Sequence, residues 1–167
     1  MQKKIAVAAI MVILALAGAL AVFGQGTGLF SFLAKDCGSD QSCFNDASRT
    51  CTQAKFSEVT TAGGTQGAGI YFETRGRNFF SGKCAVYVKI TNVNTSMWDI
   101  YNMPAEYKAE VVEVTKALEG KDMVCEFQNQ PPVTSNFLGE KQYCTGNLRT
   151  ALDEFTAKLQ AIQFPGS

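Results

Sequence analysis

Nineteen consecutive residues, Ile5 to Phe23, carry no charge and no strongly polar side chain. Seven are Ala, one is Gly18, and the rest are Ile, Val, Leu, Met and Phe. At about 1.5 Å per residue a helix of this length spans roughly 28 Å, close to the hydrocarbon thickness of a bilayer. No other feature limits the chain as strongly, because the run begins four residues from Met1 and does not alternate with polar positions. The expectation is a membrane-directed segment over residues 1–24, a flexible tether over 25–36 and an extracytoplasmic domain over 37–164.

Two forms of that segment are open. As a retained anchor it contacts the lipid bilayer through residues 5–23, and its length exceeds the roughly 7–15 residues of a usual signal-peptide core. As a signal peptide it has Lys3 and Lys4 in front and small residues at Ala17-Gly18-Ala19 or Ala19-Leu20-Ala21, which place cleavage near Ala19 or Ala21. Both forms put the N-terminus in the cytoplasm and the rest outside, since Lys3 and Lys4 precede the run and no cation follows before Lys35. Ala15, Ala17, Ala19 and Ala21 have the small-xxx-small spacing that permits close helix contact in a bilayer.

All six cysteines, Cys37, Cys43, Cys51, Cys84, Cys125 and Cys144, lie beyond the apolar run. An even number in an exported domain reads as three disulfides. No C-x-x-C pair is present for metal or redox chemistry, and no Cys directly follows the run to carry a lipid. Six cysteines allow 15 pairings, all of them open at this level. A bridge from the first helix to the sheet would close a long loop and stabilise most.

The charge and histidine counts exclude further classes. Beyond residue 24 the chain has 13 Lys and Arg against 15 Asp and Glu, a formal charge of −2. That is not the basic surface of a nucleic-acid binder. With no histidine, Ser-His-Asp catalysis, Cys-His catalysis and imidazole-dependent zinc sites are ruled out. No motif for a cofactor is visible, and no catalytic, cofactor or metal residue is assigned.

Along the domain, Ser39 or Asp40 caps a helix over about 40–53, with Phe44, Ala47, Cys51 and Ala54 as one apolar stripe. Residues 55–61 read as a strand. The glycine-rich stretch 62–69 lacks the Lys of a phosphate loop and reads as a flexible hairpin loop. Strands over 69–75 and 84–92 flank a loop carrying Phe79 and Phe80 beside Arg75 and Arg77, a candidate partner contact. In the second strand Cys84, Val86, Val88 and Ile90 alternate with Ala85, Tyr87, Lys89 and Thr91. Asn94-Thr95-Ser96 is a glycosylation sequon.

Residues 97–103 form an aromatic connection. A helix from Pro104 to Glu119 carries Tyr107, Val111, Val114 and Leu118 inward and Glu106, Glu110 and Glu113 outward, with Gly120 as its stop. Met123 to Phe127 is a short strand, and 128–143 is irregular, with Pro131 and Pro132 inside it. Asn147 caps a last helix whose stripe is Leu148, Leu152, Phe155, Leu159 and Ile162, ended by Phe164-Pro165. The fold class is α+β: a small, mostly antiparallel, disulfide-stapled sheet packed by two or three helices behind an N-terminal transmembrane or signal helix.

The run Cys37-Gly38-Ser39-Asp40-Gln41-Ser42-Cys43-Phe44, with Cys51 and Gly82-Lys83-Cys84-Ala85-Val86-Tyr87-Val88, resembles a group of exported or membrane-anchored proteins seen mainly in archaea. Their pattern is an apolar segment, a C-G-x-D-x-x-C-F start and a G-K-C strand. The resemblance covers about a third of the chain. It implies an exported prokaryotic disulfide domain and carries no activity or site residue.

Three functions compete on this reading. The first is a non-enzymatic envelope domain that binds a protein or glycan, or plays a structural part there. The second is a subunit of a surface assembly or filament, although the acid that a type IV pilin places early in its apolar run is missing. The third is a carboxylate-based hydrolase using Glu73, Glu126 or Asp99.

Overall fold

The computed structural model describes residues 34–62, 64–78, 80–101, 105–128, 131 and 134–161. The run Ile5–Phe23, its small-residue spacing, both cleavage positions, residues 25–33 of the tether, Phe79, Pro104, Pro132, Ile162 and Phe164-Pro165 lie outside the described residues. Among the described residues no helix is long and apolar enough to cross a membrane.

The architecture is α+β. Six strands lie in chain order across one sheet: β1 (Lys35–Asp36), β2 (Ala54–Ala62), β3 (Thr65–Arg77), β4 (Cys84–Val93), β5 (Asp122–Phe127) and β6 (Cys144–Thr145). Only the β1–β2 pair is parallel. β1 begins the sheet at Lys35, inside the stretch expected to be tether. The helices are α1 (Gln41–Arg49), α2 (Ala105–Lys116) and α3 (Asn147–Ala161), and 3₁₀ helices cover Thr95–Tyr101 and Thr134–Tyr143.

The core lies on one face of the sheet. β4 supplies Val86, Val88 and Ile90, and β5 supplies Met123, Cys125 and Phe127, every second residue in each strand. Phe44 of α1 meets Phe56 of β2 and Phe72 of β3 at ring-centroid distances of 5.5 and 5.9 Å. Leu148 of α3 is fully buried, and Ala151, Leu152 and Phe155 pack against the same cluster. One buried polar pair crosses this layer: Ser48 Oγ and Thr74 Oγ1 lie 2.9 Å apart and satisfy each other.

α1 starts where expected. Asp40 is its N-cap, and Oδ1 accepts from the Cys43 N–H at 3.0 Å. It ends four residues before the expected boundary, because Cys51 sits at φ +55°, outside the helical region. Cys51 and Ala54 are buried, but on the turn and on β2 rather than on a helix face. Asp40→Ala leaves the first-turn N–H without its acceptor. It should cost about 1 kcal/mol in urea denaturation. Asp46→Ala, which breaks only an exposed 3.5 Å pair with Arg49, should cost under about 0.5 kcal/mol.

The glycine-rich stretch is mostly strand, not a flexible loop. Ala62 pairs with Thr65, and Gly64 at φ +81° makes the reversal. An extra residue on β3 between the Val59–Gly69 and Thr61–Gln66 pairs is held by Thr60, whose hydroxyl accepts from Ala68 N–H (2.8 Å) and donates to Ala68 O (3.2 Å). Gly69 is needed for packing: a Cβ there would crowd the side chains of Asn92 and Thr91. The segment 134–143, expected to be irregular, is a 3₁₀ helix kinked at Glu140. Gln41 Nε2 donates to Thr134 Oγ1, and Thr134 N–H donates to Asn45 Oδ1 (3.4 Å), tying its start to α1. Cys144 follows its far end.

α2 stops at Lys116. Leu118 and Glu119 N–H then donate to carbonyls three residues back, and Gly120 closes the turn at φ +73°. Glu110 and Glu113 are exposed, as the apolar spacing requires. Asn147 has a different use from the expected cap: its Oδ1 accepts from the Asp122 N–H (3.0 Å), seating the start of α3 on β5.

All six cysteines are paired. Cys37–Cys43 closes the approach to α1. Cys51–Cys84 joins the end of α1 to β4, and Cys125–Cys144 crosses the β5–β6 pair at matched register.

Candidate functional site

The strand positions that alternate with the core residues carry a strip of polar and aromatic side chains. On β3 they are Tyr71, Glu73 and Arg75, on β4 Tyr87 and Lys89, and on β5 Asp122 and Val124. Register puts Glu73 opposite Tyr87, Tyr71 opposite Lys89, and Tyr87 opposite Val124.

A β-bulge shapes the centre of this strip. Thr74 pairs with Val86 and Gly76 with Ala85, so Arg75 is the extra residue. Gly76, at φ +88°, accommodates the turn this imposes on the strand. The Arg75 guanidinium carbon then lies 4.3 Å from the centroid of the Tyr87 ring, a cation–π contact. Its Nε is 3.6 Å from Glu73 Oε2. That nitrogen is buried, and the ion pair is too long to be a hydrogen bond. Glu73 is 6% exposed, so its carboxylate depends on this cation for compensation. The Tyr87 hydroxyl donates to Asp122 Oδ2 at 3.0 Å, and Tyr71 meets the Tyr87 ring edge-on at 6.2 Å.

The result is a chain of contacts across three strands: Glu73, Arg75, Tyr87, Asp122. Burial raises the Tyr71 hydroxyl above its ordinary pKa, and the Glu73 charge adds to this. Burial and then the bond to Asp122 push Tyr87 up to about 12. An acid raised in the folded state stabilises the fold only while protonated. The contribution is whole below about pH 10 and is lost as pH rises through about 12. Wild-type thermal stability should therefore fall between pH 10 and 12 by more than that of Tyr87→Phe. The variant should also show a smaller late limb in the tyrosinate absorbance titration. Identical curves would mean that Tyr87 does not titrate late.

The three carboxylates singled out for hydrolysis are not brought together. Glu73 sits on β3 with Arg75. Glu126 lies two strands away, 4.0 Å from Lys83, and Asp99 pairs with Lys108 from the first 3₁₀ helix. Among the described residues no group of three or more Cys, Asp and Glu could hold a metal ion.

Phe80 stands at the tip of the β3–β4 connection and is 80% exposed. Asn78 holds that tip: its Oδ1 accepts from Phe80 N–H (2.9 Å) and Ser81 N–H (3.2 Å), and its carbonyl accepts from Gly82 N–H (2.8 Å). Asn94 is exposed directly after β4. The sequence pattern singles out neither Tyr71 nor Asp122, and it sets Arg75 beside the Phe79-Phe80 loop rather than with Tyr87. Period-two alternation already set Tyr87 and Lys89 on one face of β4, and the same count on β3 groups Tyr71 and Glu73. The Arg75 bulge leaves no such signal. Comparison with family models, with curated proteins and with solved structures finds no match for this chain.

Proposed function

We propose that the chain is an exported protein, tethered to or released from the outer face of a membrane, whose disulfide-bonded domain recognises a protein or glycan partner in the envelope. The observation that carries this reading is the pairing of all six cysteines into three bridges. Such bridges form and persist in oxidising compartments. The apolar run Ile5–Phe23 supplies the means of export. The strip of Tyr71, Arg75, Tyr87 and Lys89 supports recognition, because rigid aromatic rings beside a guanidinium are the groups that dominate binding surfaces.

The test is intact mass of the full chain from isolated membranes and from medium, with alkylation before and after reduction. No alkylatable thiol before reduction is expected, and six would overturn the reading. A mass of residues 1–167 identifies an anchor, and one beginning near residue 20 or 22 identifies a cleaved signal. Cross-linking of Lys89→Glu addresses the surface: a partner still captured at the wild-type level removes the sheet strip as its contact.

A further inference from the structure

Asn94-Thr95-Ser96 has acceptor spacing for N-linked glycosylation, with no proline at the middle position. The fold adds three facts to the motif. Asn94 is exposed, and its backbone is fixed at the end of the sheet by an N–H donated to the Gly67 carbonyl at 2.8 Å. Its Oδ1 accepts from the Ser96 N–H (3.1 Å) and from the Ser96 hydroxyl (2.8 Å). Its Nδ2 makes no hydrogen bond among the described residues. The two sequon side chains are thus already joined through the amide oxygen, and the amide nitrogen is not engaged by either of these bonds.

This arrangement suits the chemistry. A carboxamide nitrogen is a poor nucleophile because its lone pair is delocalised onto oxygen. A hydroxyl proton held on Oδ1 favours the imidate-like form, in which Nδ2 releases a proton and keeps the pair. Ser96 stands in the position to do this.

Position also matters. The chain enters the sheet at Lys35, which pairs with Ala54, and Ala54 pairs with Thr74 near the end of β3. Asn94 follows the opposite end, beyond the Ala68–Val93 pair. Thr74 pairs with Val86, so seven residues of β4 separate the two levels, about 23 Å at roughly 3.3 Å per residue. A tethered domain therefore presents Asn94 at the pole away from where the chain enters it.

We infer that Asn94 is an N-glycan acceptor, with a polyprenyl-phosphate- or polyprenyl-diphosphate-linked sugar as donor and Ser96 as the residue that activates its amide. In the transfer Nδ2 bonds to the anomeric carbon. The bond from that carbon to the phosphate oxygen breaks, its electron pair leaves with the phosphate, and Nδ2 gives one proton to a base of the transferase. No oxidant or reductant is consumed. The inference rests on the exported reading above.

The experiment expresses the full chain in an N-glycosylating secretory host and reads intact mass and thiol count together. The expected result is one added glycan on the thiol-free protein, removed by a glycoamidase that converts Asn94 to aspartate. Asn94→Asp keeps the oxygen that accepts from Ser96 and so keeps the local turn, yet should lose the glycan completely. Ser96→Ala should lose it too, while Ser96→Thr should retain it. A bare Asn94 in protein with no alkylatable thiol overturns the inference and leaves the exported reading standing. A bare Asn94 in protein with six alkylatable thiols overturns both. A glycan that persists in Ser96→Ala overturns the role given to the hydroxyl.

Discussion

Full reduction should unfold the domain, with the three bridges contributing in the order of the loops they close. Cys51 and Cys84 are 33 residues apart, Cys125 and Cys144 are 19 apart, and Cys37 and Cys43 are 6 apart. Chain-entropy arithmetic gives about 3.7, 3.2 and 2.2 kcal/mol respectively. Together that is roughly 9 kcal/mol, as large as the whole stability of an ordinary domain. Each pair replaced by alanines should lower the urea midpoint in that order, with the Cys51–Cys84 pair shifting it by roughly 2 M at a slope of about 2 kcal/mol/M. Cys84, Cys125 and Cys144 are fully buried, so each replacement also removes a packed sulfur. Reduced protein that keeps a cooperative transition near the oxidised midpoint would contradict this account. So would a Cys37–Cys43 variant weaker than the Cys51–Cys84 one.

Gly146→Val should be the most damaging single substitution at any of the described glycines with positive φ. Gly146 lies between β6 and α3 at φ +130°, a conformation that side chains rarely adopt. A Cβ there would lie 2.7 Å from the Asp122 carbonyl oxygen and 2.8 Å from Met123 Cα. Both are backbone atoms of β5 and cannot swing aside. β5 is fixed on one side by six residue pairs with β4 and on the other by the Cys125–Cys144 bridge. Backbone strain and overpacking then add to more than about 3 kcal/mol. Gly82→Ala is the control. It has φ +66° and open space around a new Cβ, so it should cost only about 1–2 kcal/mol. Chemical denaturation of the two variants decides the matter, and equal losses would mean that the approach to β5 is unimportant.

These two cases also show what a sequence pattern can carry. Leu148, Leu152 and Phe155 were legible because a helix repeats its apolar face at a fixed spacing. Val86, Val88 and Ile90 were legible for the equivalent reason in a strand. The Ala62–Gly69 stretch misled because four glycines suggest a loop by composition. In the fold the Thr60 hydroxyl clamps Ala68, and the missing Cβ of Gly69 makes room for Thr91 and Asn92, which are contacts between distant residues. The end of α1 was hidden for a similar reason: the left-handed Cys51 fits the helical stripe by spacing and departs from it in conformation. Pairing of the cysteines needed strand register, which sets Cys125 opposite Cys144. The Arg75 contact with Tyr87 needed a bulge, and a bulge is an insertion in one strand relative to its neighbour, invisible in either strand alone.

The bridges also fix how the domain carries tension. A pull from the N-terminal side reaches it at Lys35, where the two residues of β1 can peel away. The load then passes from Cys37 through its bridge to Cys43, along α1 to Cys51, and through the second bridge to Cys84. β2 and β3, which lie between Cys51 and Cys84, are bypassed. The stretch from Cys51 to Cys84, 33 residues apart in sequence, holds about 115 Å of contour at roughly 3.5 Å per residue. That slack stays stored while the sulfurs are joined, so a tethered domain would lengthen abruptly under force only after meeting a reductant.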